Sequence, residues 1–202
     1  MMKLLSSPAS PYGRKVKIVL TMKGLGDQIL MERIDTNVLK NETLYRENPL
    51  SKIPVLILED GMRIYDSHVI CEYLDILQPE PHLFPAGGRE RIDTLVRGAL
   101  GDGILDAALL LVYEGRYRPA DMRVQGWVDR LEFKINQSLD ELEKAPPQWV
   151  GTPDYGHVTI ACALGYLDFR HQGAWRANRP SLVAWLDQFA AAVPAFAATK
   201  PE

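Results

Sequence analysis

The sequence predicts two domains, an α/β domain of order βαβαββα over residues 1–78 and an all-α helical bundle over residues 89–202. Three observations carry that prediction. Short extended and helical patterns alternate only in the first third of the chain. Residues 79–88, with Pro79, Pro81, Pro85, Gly87 and Gly88, can sustain neither a helix nor a central strand and read as a linker. Beyond them, apolar residues recur at intervals of three and four, the signature of helix faces turned to a core. With 202 residues and 47% hydrophobic content, the chain can build two modest cores.

The elements follow in order. Residues 3–6 form a short strand, and residues 11–23 a helix with apolar positions at Val16, Val19 and Leu20, ended by Gly24 and Gly26. Residues 28–34 read as a second strand, and the βαβ connection favours a right-handed crossover and a parallel pair. Residues 55–58 and 62–65 flank Glu59-Asp60-Gly61, where Asp-Gly supplies the positive φ angles of a tight hairpin. Asp66-Ser67 opens a further helix whose buried stripe is Val69, Ile70, Tyr73 and Leu74, and Pro79 marks its end. In the bundle, residues 95–112 carry a broad apolar surface interrupted by Asp102 and Asp106. Val124, Val128, Leu131, Ile135, Leu139 and Leu142 define one helix face. Residues 160–169 are almost continuously apolar, as a central bundle helix is, with Asp154 and His157 at its start. Leu182, Trp185, Leu186, Phe189 and Val193 supply another helix, and alanine-rich residues 190–198 read as a loosely packed tail.

Composition excludes several classes of function. The formal charge is −3, and 23 basic and 26 acidic residues are interspersed, so no basic stripe exists to hold a nucleic acid backbone. No apolar run reaches the roughly 20 residues needed to cross a bilayer, and the amino end meets Ser6, Ser7 and Pro8 before a leader-like apolar core develops. A cytoplasmic protein with no membrane partner is the expectation. Cys71 and Cys162 lie far apart in apolar stretches and read as small buried hydrophobes. His68, His82, His157 and His171 lack metal-ligand spacing, so no metal is assigned.

Three segments carry chemistry. Ser10-Pro11-Tyr12-Gly13, between a strand and a helix, sets a hydroxyl at a helix N-terminus, where unpaired N–H groups favour negative charge. A thioredoxin-fold redox enzyme has cysteines at the first and last of these positions; Ser and Gly cannot exchange disulfides but can hold another molecule's thiolate. Asn48-Pro49-Leu50-Ser51-Lys52-Ile53-Pro54-Val55 starts a strand with a proline, and a cis Ile53-Pro54 bond would offer the Ile53 main chain to an extended peptide. Asp66-Ser67 makes a carboxylate-binding helix start with an acidic side chain beside it. Each has a plainer reading: Ser10, Asp66 and Ser67 as helix caps, Lys52 as a solvated turn residue.

In this order, the pieces Ser-Pro-x-x-Arg-Lys-Val, Asn-Pro-Leu-x-Lys-Ile-Pro-Val-Leu and Asp-Ser-x-Val-Ile-Cys-Glu-Tyr-Leu resemble the glutathione S-transferase family over essentially the whole chain. Residues 161–170 also look like the central bundle helix of small bacterial members, although that helix usually starts with Ser or Thr and an Asp three residues on, where Asp154 and His157 stand here. The resemblance implies a thioredoxin-like first domain and a glutathione site. In it Ser10 donates to the glutathione sulfur, and the Ile53 main chain, braced by Pro54, pairs with the cysteinyl amide. Lys52 meets the glycine carboxylate, Asp66 the γ-glutamyl ammonium, and Ser67 the γ-glutamyl carboxylate. Tyr12 is the rival hydroxyl. Asp102 either hydrogen-bonds locally or reaches the glutathione amine across a dimer interface, and Tyr113, Arg116 and Tyr117 either line the electrophile pocket or lie in an exposed loop just beyond the first bundle helix. The resemblance further implies a homodimer, and a detoxifying transferase that conjugates small hydrophobic electrophiles or reduces peroxides with glutathione. The competing reading is a non-catalytic glutathione-binding or regulatory protein. A thiol transferase or dehydroascorbate reductase is disfavoured by Ser10 and Gly13.

Overall fold

The computed structural model describes residues 1–38 and 40–201. The chain divides into two compact units, residues 1–85 with 193–202, and residues 86–192. In the first unit, β1 (Met2–Ser6), α1 (Pro11–Met22), β2 (Ile29–Arg33), α2 (Glu42–Glu47), β3 (Val55–Ile57), β4 (Arg63–Ile64) and α3 (Ser67–Leu77) follow in order. The four strands form one sheet of order β2-β1-β3-β4. β1 and β2 are the expected parallel pair, in register Met2 to Ile29 through Ser6 to Arg33. The hairpin β3–β4 joins antiparallel at the other edge of β1, with Leu5 opposite Val55 and Leu56 opposite Ile64. Gly61 at φ +87° supplies the left-handed residue that its tight turn requires.

Alternation along the strands sorts the core. Leu5 and Val55 pack with Ile34 and Leu44 of α2. Leu4 and Leu56, also fully buried, face the other side, where α3 packs on β3 and α1 lies against α3. A buried ion pair of Lys23 with Asp75 ties the end of α1 to α3; the same ammonium donates to the carbonyls of Pro79 and Pro81, while the carboxylate accepts the Leu83 and Phe84 N–H groups at 2.8 and 3.2 Å.

The alanine-rich tail is not loosely packed. Val193 and Ala195 are buried, and helix α8 (Ala195–Ala198), here numbered last in chain order, packs on α1 of the first unit. Arg14 explains this: its guanidinium stacks 4.0 Å from the Phe196 ring centroid and donates to the Phe196 carbonyl at 2.7 Å.

The second unit contains α4 (Gly88–Tyr117), α5 (Gln125–Lys144), α6 (Tyr155–Arg170) and α7 (Pro180–Ala192). The central, almost wholly buried α6 lies against α4 at close range: a Cβ on Gly101 would sit 2.9 Å from the Thr159 carbonyl carbon, and one on Gly156 2.8 Å from the Thr94 carbonyl oxygen. Glycine at both positions lets the backbones approach. Glu143 of α5 accepts the Ser181 and Leu182 N–H groups at 2.9 and 2.8 Å, capping α7 from outside its own sequence. Partial burial works against its charge, but those N–H groups outweigh it and lower its pKa.

Candidate functional site

The register of the sheet brings the three sequence signals to one end of it. β1 runs toward Ser6 and then the loop leading to Ser10; β3, antiparallel to β1, starts beside that end at Val55; β4, antiparallel to β3, finishes there and passes into Asp66. Ser10, Ile53-Pro54 and Asp66-Ser67 therefore belong to the same sheet end of the first unit.

Ser10 caps α1. Its Oγ accepts the Gly13 N–H at 3.1 Å, and Pro11 at the first helical position gives up no hydrogen bond there. The cap uses a lone pair of the hydroxyl and leaves its hydrogen to donate. Gly13 is constrained by its neighbour, since a Cβ there would lie 2.1 Å from Ser6 Oγ. That oxygen is buried and has no hydrogen-bond partner among the described residues. Tyr12, the rival hydroxyl, sits inside the first turn of α1, two residues past the cap.

At the second signal, Asn48 shapes the approach: its Nδ2 donates to the Lys52 carbonyl at 2.9 Å and its Oδ1 accepts the Leu50 N–H at 3.0 Å. Pro54 is buried, Ile53 half-buried and Lys52 exposed. The Ile53-Pro54 bond is cis. Among the described residues, no hydrogen bond uses the Ile53 N–H or C=O. At the third, Asp66 caps α3 by accepting the His68 N–H at 3.0 Å, while its side chain stays exposed. Ser67 is the first residue of α3 and is buried, and among the described residues its N–H has no partner. The site thus offers a hydroxyl donor, the Ile53 main chain without a partner among the described residues, a helix-start N–H likewise without one, an exposed carboxylate and an exposed ammonium.

The secondary candidates lie on α4 of the helical unit. Asp102 is 3.4 Å from the Tyr155 hydroxyl, which donates to it. Tyr113, Arg116 and Tyr117 are not in a loop beyond the first bundle helix, because α4 continues through them to Tyr117. The Tyr113 and Tyr117 rings are 5.3 Å apart, and the Arg116 guanidinium lies 5.9 Å from the Tyr113 ring centroid. Tyr166 and Arg170 of α6 were not singled out by the sequence; burial raises the Tyr166 pKa, and the charges of Arg170, Tyr113 and Arg116 act on that phenol. The four-residue spacing of Tyr166 and Arg170 at the end of an apolar helix was the available signal. Among the described residues no set of His, Cys, Asp and Glu is arranged to hold a metal ion, and no helix is long and apolar enough to cross a membrane.

A mixed four-stranded sheet flanked by helices, followed by a helix bundle, defines a thioredoxin-like domain with an all-α domain attached. The patterns of the glutathione S-transferase N-terminal and C-terminal domains match residues 9–77 and 125–188. The chain belongs to the glutathione S-transferase family. It is similar to the uncharacterized GST-like protein YibF of Escherichia coli K12, 35% identical over 99% of this chain and 98% of that one. Among solved structures it is similar to a glutathione transferase family member from Pseudomonas fluorescens Pf-5 with bound glutathione, at TM-score 0.93 and 36% identity with each chain covered completely. A second structure of a Pf-5 family member, with bound S-(propanoic acid)-glutathione, matches at TM-score 0.88 and 35% identity, again with each chain covered completely.

Proposed function

We propose that the chain is a glutathione transferase that holds glutathione at the shared end of its sheet and presents the thiolate to small hydrophobic electrophiles. The observation that carries this reading is the unpaired Ile53 main chain beside the end of β1, an open position for strand-like pairing with an extended tripeptide. Glutathione bound in the similar Pf-5 structure supports it. The Ile53 N–H and C=O pair with the cysteinyl amide, with Pro54 closing the strand start behind them. Lys52 meets the glycine carboxylate, Asp66 the γ-glutamyl ammonium, and Ser67 the γ-glutamyl carboxylate. Each charge of the tripeptide then has an opposite charge or an N–H donor.

Ser10 is the catalytic group. A free thiol titrates near 8.5, and lowering it by about two units, which makes the thiolate abundant at neutral pH, takes about 2.7 kcal/mol. A hydrogen bond to the charged sulfur contributes about 1.5–3 kcal/mol and the helix N-terminus about 0.3–1 kcal/mol. In conjugation the sulfur forms a bond to the electrophilic carbon as the leaving group departs with its electron pair; in peroxide reduction the same thiolate attacks one peroxide oxygen, the O–O bond breaks, the other oxygen leaves as the alcohol after taking a proton, and a second glutathione converts the resulting sulfenic acid to the disulfide and water. We further propose a cytoplasmic homodimer acting in detoxification.

The test is retention on immobilised glutathione, followed by conjugation to an aryl halide by wild type and Ser10→Ala. The expected result is retention of both and a fall of kcat/KM in the variant by about 10- to 100-fold. Full turnover by Ser10→Ala removes Ser10 from the mechanism. Retention by wild type without turnover of any electrophile leaves a glutathione-binding protein without catalysis.

A further inference from the structure

The turn of α1 that carries Ser10 is held by two other segments of the first unit. Gly13, whose N–H donates to Ser10 Oγ at 3.1 Å, is pressed against β1: the place its Cβ would take is 2.1 Å from Ser6 Oγ and 3.4 Å from Ser10 Cβ. The next residue, Arg14, donates its N–H to the Ser10 carbonyl at 2.9 Å, the hydrogen bond that starts the helix. Its side chain belongs to a residue only 4% exposed, and a charge so buried has to be met. Phe196 and Thr199 meet it. The ring centroid of Phe196 lies 4.0 Å from the guanidinium carbon, the Phe196 carbonyl accepts from Nη2 at 2.7 Å, and Thr199 Oγ1 accepts from Nε at 3.4 Å. Stacking occupies one face of the guanidinium while the N–H groups at its edge reach the two oxygens. The segment that supplies these groups is itself ordered: the Phe196 N–H donates to the Val193 carbonyl at 2.9 Å, Thr199 Oγ1 donates to the Ala195 carbonyl at 2.7 Å, and Val193 and Ala195 are buried. Residues 193–202 thus group with residues 1–85, although the helical unit separates them along the chain.

We propose that residues 193–199 brace the first turn of α1, with Phe196 and Arg14 as positioning residues that fix the direction of the Ser10 hydroxyl and so the acidity of the bound thiol. Residue 14 is tied to Ser10 through its main chain and to the carboxyl-end segment through its side chain, so the Phe196 ring acts on position 10 through a single residue. A hydrogen bond to the sulfur keeps its strength only while the donor stays within about 0.5 Å and 10–20° of its productive geometry, which a frayed first turn does not maintain. This inference rests on reading the chain as a glutathione transferase with Ser10 at the sulfur, and it extends the machinery of that reaction to the far end of the chain.

The test compares wild type, Phe196→Ala, Phe196→Tyr and Ser10→Ala by amide hydrogen exchange of the unliganded chain and by the thiolate absorbance of bound glutathione against pH. In Phe196→Ala the Gly13 and Arg14 amides should exchange about tenfold faster or more, while the Leu4 and Leu5 amides of β1 keep their wild-type rates. The bound thiol should titrate about 0.5–1 unit higher, which leaves about 3- to 10-fold less thiolate below its pKa. In conjugation to an aryl halide kcat should fall with it, while KM for glutathione stays within about twofold, because Ile53, Asp66 and Ser67 are untouched. Phe196→Tyr, which keeps the ring, should match wild type in both readouts. A lower melting temperature in Phe196→Ala with exchange at Gly13 and Arg14 and the thiol pKa unchanged makes the segment a structural one only and overturns the proposal. Should Phe196→Ala not fold, Phe196→Leu, which keeps apolar bulk without a ring face, decides in its place. Faster exchange with no glutathione bound by wild type removes the transferase reading and keeps the brace; a thiol pKa raised in Ser10→Ala but not in Phe196→Ala overturns the brace and keeps that reading.

Discussion

A single hydroxyl at position 10 is asked to do two things. Its oxygen accepts the Gly13 N–H as the cap of α1, and in the proposed function its hydrogen donates to the glutathione sulfur. Replacement by alanine removes both at once, so loss of activity there includes a contribution from the frayed helix. Ser10→Asp separates the two. An aspartate caps a helix start as well as serine does and suits its dipole, but at neutral pH it only accepts, and it places negative charge beside the thiolate. The expected outcome is a melting temperature near that of wild type for Ser10→Asp, against a loss of about 0.5–2 kcal/mol in Ser10→Ala. The thiolate absorbance of bound glutathione should titrate at higher pH in the aspartate variant than in wild type. A thiol pKa unchanged in Ser10→Asp would show that the hydroxyl does not set it.

At the scale of the element, α6 shows how one carboxylate can both start a helix and fasten it to another. Asp154 accepts the His157 N–H at 3.1 Å, and the His157 ring closes a capping box. The same carboxylate accepts from Thr94 Oγ1 at 2.7 Å and Arg97 Nη2 at 2.5 Å, both on α4. Burial works against its ionisation, but the bonds from His157, Thr94 and Arg97 outweigh it and hold the carboxyl far below its ordinary value of 3.8. Because the folded pKa is depressed, the stabilisation is complete above pH 3.8 and is lost as pH falls below that value toward the folded pKa. Asp154→Ala should cost about 2–3 kcal/mol at pH 7 in chemical denaturation, and the difference from wild type should shrink steadily in acid below about pH 4. A difference that is constant from pH 7 to pH 3 would mean that the carboxylate charge plays no part. The local half of this device was legible, since Asp154 and His157 stand three apart before an apolar run. The Thr94 and Arg97 half was not, because nothing local to α4 announces a partner about sixty residues away.

For the whole molecule, what was legible follows the same division between local pattern and distant contact. The strands, their turn and the caps at Ser10 and Asp66 are written in short periodic stretches and turn residues. Their convergence follows once the strand order is known, because β3 and β4 run antiparallel and return to the end where β1 finishes. The course of residues 193–201 was hidden: an alanine-rich stretch has no stripe to orient it, and nothing local to Arg14 in α1 announces the Phe196 ring on which it stacks. The reach of α4 to Tyr117 was hidden too, because its last turns are polar and include Gly115, so no apolar period marks them. Helices α3 and α4 leave apolar side chains in solvent, which bears on assembly. On α3, Val69, Ile76 and Leu77 are exposed, Ile76 by 74%; on α4, Ile92 and Val96 follow at one-turn spacing, Val96 by 61%. Exposed apolar helix faces of this kind, one in each unit, are costly in a monomer and are covered in symmetric pairs. Sedimentation of the full chain should therefore give twice the mass of one chain at micromolar concentration. Ile76→Glu and Val96→Glu, which add charge to solvent-facing positions and disturb no buried residue, should shift the protein to monomer with its helical circular dichroism unchanged. A wild-type monomer across that concentration range would sink the dimer, and a dimer that persists in both variants would move its interface away from these faces.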